Sequence, residues 1–94
     1  MSVFNFFTRV TVSTQHFADC KIKWPFESGG MLLLNESASG IVVEYSFDGV
    51  TLHGDLDPDL PSMGISCDGR AEDTIYFRLK YASSPATIRF EVWE

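Results

Sequence analysis

Long apolar runs are missing from this chain: no stretch approaches the roughly 18 residues that a membrane-spanning helix needs. Nor does a charged segment followed by an apolar run and a small-residue cleavage site open it, so a product that is cytosolic and soluble when made is expected. Basic residues are scarce. Seven Lys and Arg stand against thirteen Asp and Glu, a net charge of −6 with no basic stripe, which argues against direct binding of DNA or RNA phosphates. Only two cysteines occur, Cys20 and Cys67, too few for a disulfide scaffold and in no CxxC or other metal-ligand spacing. Buried free thiols are the favoured reading, and a disulfide between them the lesser one.

The motifs of catalysis are equally sparse. There is no G-x-S-x-G elbow, no GxGxxG or GxxxxGK[ST] phosphate loop, and Cys67 has no local signature of a nucleophile. His16 and His53 are the only histidines. A metal or catalytic role would need partners converging from elsewhere, and both read more simply as solvated surface residues. Asp55, Asp57 and Asp59 alternate as in some calcium loops, but Pro58 and the lack of a downstream bidentate Glu spoil that pattern, leaving a polar loop as the plainer account. The expectation is therefore a protein that is not an enzyme, with no catalytic residues, no cofactor and no metal.

What the chain does have is alternation. Its 94 residues are 45% apolar and 14% aromatic, which suits one small packed domain over residues 1–94. Phe4, Phe6, Val10 and Val12 fall on one face of a first strand, with Arg9, Thr11 and Ser13 opposite; Phe7 breaks the polar face. Residues 1–8 are a candidate aromatic-rich N-terminal arm. Ala18, Cys20, Ile22 and Trp24 alternate with Asp19, Lys21 and Lys23, which predicts a second strand that Pro25 ends. Met31 to Leu34 lacks alternation and is either a central strand covered on both sides or a piece of helix, its length favouring strand. Asn35 to Gly40 reads as a polar turn.

The segment Ile41 to Leu56 predicts a hairpin closed by a two-residue Asp48-Gly49 turn, pairing Phe47 with Val50, Tyr45 with Leu52, Val43 with Gly54 and Ile41 with Leu56. Asp57 to Pro61 cannot hold ladder pairing, because two prolines lack donors. A weak strand is expected near Met63 to Cys67, ahead of a second Asp-Gly. Two strong ones follow, with Ile75, Phe77, Leu79 and Tyr81 on one face of the first and Ala86, Ile88, Phe90 and Val92 on one face of the second. About eight short strands with little or no helix predict an all-β fold, a single antiparallel β-sandwich of jelly-roll or immunoglobulin-like type, with a small barrel as the other option.

Trp93 lies on the polar face of its strand, where an exposed indole has no evident folding purpose, and Tyr76 and Phe7 are similar cases. With Phe4 and Phe6 these make up the interface candidates, since large aromatics are enriched at contact centres. Coverage of the rings by loops of the same subunit is the alternative. A homo-oligomer is expected, because the core is modest and an edge strand needs protection.

The runs Leu33-Leu34-Asn35-Glu36, Val43-Glu44-Tyr45-Ser46-Phe47-Asp48-Gly49-Val50-Thr51 and His53-Gly54, with Pro58, resemble a pattern in small structural proteins of tailed bacteriophages. In that pattern a short Asp-Gly-Arg turn follows, matched by Asp68-Gly69-Arg70, then a strand matched by Ile75-Tyr76-Phe77-Arg78-Leu79. A final strand ends in tryptophan, matched by Thr87 to Trp93. Met1 to Ser28 is not covered. The resemblance implies a non-enzymatic virion component made in the host cytoplasm: a head decoration or cement protein contacting the major capsid protein or other virion proteins. A neck, tail or baseplate component is the runner-up. From another class, Trp93 and Tyr76 on one exposed face would make a carbohydrate-binding platform.

Overall fold

The computed structural model describes residues 5–59, 63–66 and 72–94, and for 63–66 the backbone alone. Among the described residues eight strands run β1 (Asn5–Val12), β2 (Lys21–Lys23), β3 (Gly30–Asn35), β4 (Val43–Ser46), β5 (Gly54–Leu56), β6 (Met63–Ser66), β7 (Thr74–Leu79) and β8 (Ala86–Trp93). They form two antiparallel four-stranded sheets, ordered β1-β8-β3-β6 and β2-β7-β4-β5. The first strand pairs with the last, β2 with β7, β3 with β6 and β4 with β5, so the chain is one long hairpin folded across two sheets. Pairing of β3 with β8 and of β4 with β7 completes each sheet. This is the jelly-roll order, and it decides between the two sandwich types.

Alternation explains where each strand sits. Ala86, Ile88, Phe90 and Val92 are buried, while Thr87, Arg89 and Glu91 between them are only half so. Ile75, Phe77 and Leu79 do the same for β7. Phe90 is the hub of the core: its ring packs against Trp24 at 5.2 Å and edge to face against Phe77 and Phe6, both at 6.2 Å. Phe77 brings the opposite sheet into that contact.

Three expectations change. Phe17–Asp19 is a 3₁₀ turn with Phe17 buried, and Ala18 is exposed. Only Lys21–Lys23 of the expected second strand is extended, because the link from β1 to the other sheet must turn a corner there. Met31 to Leu34 is strand, as its length favoured. The hairpin exists, but its register slips by two residues, with Val43 opposite Leu56 and Tyr45 opposite Gly54. An even slip keeps every side chain on its face. The turn is consequently longer: the Asp48 carboxylate accepts the N–H groups of Val50 (2.8 Å) and Thr51 (2.7 Å), and the Ser46 hydroxyl accepts that of Gly49 (3.0 Å). Those bonds compete successfully with a two-residue turn, and they leave Val50 and Leu52 exposed.

Residues 5–8 of the candidate arm belong to β1 and pair with β8 from Asn5 opposite Trp93 onward.

Candidate docking face

The two sheets present different outer surfaces. On the β2-β7-β4-β5 sheet many of the outward positions are charged and pair with opposite charges. Arg78 donates to Glu44 (2.8 Å) and Lys80 to Asp55 (2.9 Å), and the Arg78 guanidinium lies 4.0 Å from the centre of the Phe17 ring. Lys23 stands 3.9 Å from Asp73. Such a face is at ease in water.

The β1-β8-β3-β6 sheet differs. Register aligns its outward positions in rows: Asn5, Trp93 and Gly30; then Phe7, Glu91 and Leu32; then Arg9, Arg89 and Leu34. Phe7 is 49% exposed and Trp93 38%, while Leu32 and Leu34 are half-buried. Thus β3 is apolar on both sides, and its outer side is incompletely covered. Arg9 and Arg89 face each other directly, an arrangement that is normally unfavourable. The Glu36 carboxylate accepts from Arg9 Nε at 3.0 Å. Both guanidiniums lie over the Phe7 ring, at 5.7 Å for Arg9 and 5.3 Å for Arg89, so the ring's negative face offsets part of the repulsion between them. Arg89 Nε is buried and meets no acceptor among the described residues. Exposed aromatics and half-covered leucines beside arginines are the composition of a protein contact surface.

Phe7 and Trp93 therefore share this face. The other candidates do not join them. Phe6 points inward against Phe90, and Phe4 lies outside the described residues. Tyr76 is on the opposite sheet, over Gly49, where a Cβ would come within 3.0 Å of the ring. The expected sugar platform of Trp93 with Tyr76 is accordingly not formed. Trp93 also has a folding role that the sequence reading did not give it: its indole lies across Gly30, where a Cβ would stand 2.8 Å from Cζ2 and Nε1. One side of the ring covers a strand; the exposed remainder is available.

The polar candidates resolve into structural roles. His53 is a half-buried residue, not a solvated one: its Nδ1 accepts the Phe47 N–H at 3.0 Å and its ring packs 5.1 Å from that of Phe47. His16 is exposed and precedes the 3₁₀ turn, its carbonyl accepting the Asp19 N–H. Asp55 binds Lys80, Asp57 accepts the Asp59 N–H (2.9 Å), and Asp59 accepts from the Ser39 hydroxyl (2.9 Å). These carboxylates serve separate partners, and among the described residues no three His, Cys, Asp or Glu side chains converge to hold a metal ion. Cys20 is free and half-buried, and burial pushes its thiol pKa up, away from nucleophilic character. Cys67 lies outside the described residues.

Leu32, Leu34 and Arg89 were missed as candidates. For the two leucines the signal was present in the unalternated run Met31 to Leu34, which demands cover on both sides of its strand. Neither a protein-family model nor a curated protein matches this chain.

Proposed function

We propose that this protein is a non-enzymatic structural component of a tailed-phage virion, a capsid decoration or cement protein that docks through the outer face of the β1-β8-β3-β6 sheet. The observation that carries the docking is the half-covered outer side of β3, where Leu32 and Leu34 lie beside exposed Phe7 and Trp93. The virion context comes from the resemblance in the strands and turns from Leu33 to Trp93. Jelly rolls serve in viral capsid proteins, lectins and cupins alike, so the fold is compatible with this role without selecting it. The partner is the major capsid protein or another virion subunit. A neck, tail or baseplate position would use the same face on a different partner.

Adhesion follows from burial. Each large apolar side chain removed fully from water contributes about 1.5–3 kcal/mol, from which ordering and association costs are subtracted. Many weak contacts on one shell add through avidity. Co-sedimentation with capsids lacking the protein tests the reading. Trp93→Ala and Leu34→Glu should each reduce capsid-bound protein about tenfold or more, with the far-UV spectrum kept, whereas Lys21→Glu on the opposite sheet should leave binding intact. Undiminished pelleting of both outer-face variants, or particles that resist heat and low salt equally well without the protein, would defeat it.

A further inference from the structure

The sheet edges are unequal. Among the described residues the edge strands β2 and β5 have 3 residues each and β6 has 4, too short to template much pairing, but β1 has 8. It pairs with β8 on one side without a skipped residue, and among the described residues no other backbone group bonds to it. It carries none of the usual edge defences, having no proline, no bulge, no lysine and a single charged residue, Arg9.

We infer that β1 pairs antiparallel with β1 of a second copy, joining two four-stranded sheets into one continuous eight-stranded sheet about a two-fold axis. The register follows from physical limits. Phe6, Val10 and Val12 face inward while Phe7, Arg9 and Thr11 face outward, so only registers that pair odd positions with odd ones keep both inner faces on the core side. The two such registers with the longest overlap place either Thr8 or Arg9 on the axis. Arg9 opposite the partner's Arg9 sets like charges together, which is unfavourable. With Thr8 on the axis, Phe7 lies opposite the partner's Arg9 and Arg9 opposite the partner's Phe7, an aromatic–cation pair made twice. On the inner side, half-buried Phe6 meets the partner's Val10, which extends the cover of its ring at the margin of the sandwich.

Self-association and capsid docking are separate claims with separate readouts, since sedimentation of the protein alone reports only the first. Sedimentation equilibrium over about 1–500 μM should show a monomer–dimer equilibrium, in the range of weak to moderate interfaces. Amides of β1 that point away from β8 should gain exchange protection as concentration rises. Phe7 is exposed, so both Phe7→Glu and Phe7→Lys should fold. Phe7→Glu, opposite the partner's Arg9, should dimerise as well as the parent or better, while Phe7→Lys should weaken the dimer about tenfold or more. A monomer throughout the range, equal dimerisation of the two variants, or concentration-dependent protection confined to β6 would each overturn the inference.

Discussion

Asn35→Ala is the substitution whose effect the structure defines most closely. Asn35 is the last residue of β3, buried on the inward side in series with Met31 and Leu33. Its Nδ2 donates to the carbonyls of Ile41 (2.8 Å) and Leu56 (2.9 Å), and its Oδ1 accepts the N–H of Ser37 (3.0 Å). One side chain thus ties the end of a strand in one sheet to the approach of β4 and to β5 in the other. Alanine would remove all three of these hydrogen bonds. At about 1 kcal/mol net for each bond, the loss is about 3 kcal/mol, a substantial part of the roughly 5–14 kcal/mol expected for a domain of this size. With a urea m-value on the order of 1–1.5 kcal/mol/M, the midpoint should fall by about 2–3 M at unchanged m.

Asn35→Asp gives an internal control. It keeps the acceptor for Ser37 but sets a carboxylate against two carbonyl oxygens, so it should be worse than alanine at neutral pH. Its folded-state pKa would be raised, so the variant should recover stability as pH falls toward the ordinary carboxylate range, where the protonated acid can donate, and lose it again as pH rises. A midpoint change for Asn35→Ala worth under about 1 kcal/mol, or an aspartate variant indifferent to pH, would refute the assignment of these bonds as the clamp between sheets.

Other outcomes follow from single contacts. The Asp48 carboxyl is held well below its ordinary 3.8 chiefly by the Thr51 and Val50 N–H groups. Its depressed folded-state pKa means its contribution is present above the ordinary value and is lost only as pH falls through the lower one. The Val50 and Thr51 amide signals should therefore stay put at about pH 4 and move in stronger acid, and titration at the ordinary value would contradict the geometry. Gly30→Ala forces the Trp93 indole off β3. Emission should shift to the red against the constant background of buried Trp24, with a loss of about 0.2–1 kcal/mol, and an unchanged spectrum would contradict the contact.

Strand parity was legible in the sequence wherever one face meets the core and the other meets water, as in β1, β7 and β8. Placement was not. Phe7 and Trp93 share a face because β1 and β8 are neighbours, and Tyr76 is excluded because β7 lies in the other sheet; both facts are matters of strand order, which alternation does not encode. The hairpin erred at its turn because Asp-Gly satisfies a two-residue loop and a longer loop capped by a carboxylate equally well on paper. Asn35 was read as turn because it is polar, although its inward parity after Met31 and Leu33 marked it as a buried anchor. The partnership of Trp93 with Gly30, and of Tyr76 with Gly49, was invisible for the same reason as the strand order: each joins segments far apart in the chain.

The nested pairing of first strand with last, and so inward to β4 with β5, has a consequence for how the chain acquires its shape. Only the innermost pair can form from nearby residues, while β1 must find β8 across almost the whole length. Folding should be slow and should start at the loop organised by Asp48, each completed pair shortening the closure required of the next. Asp48→Ala should then retard refolding, whereas truncations in β1 should chiefly hasten unfolding. The opposite partition would place the nucleus elsewhere.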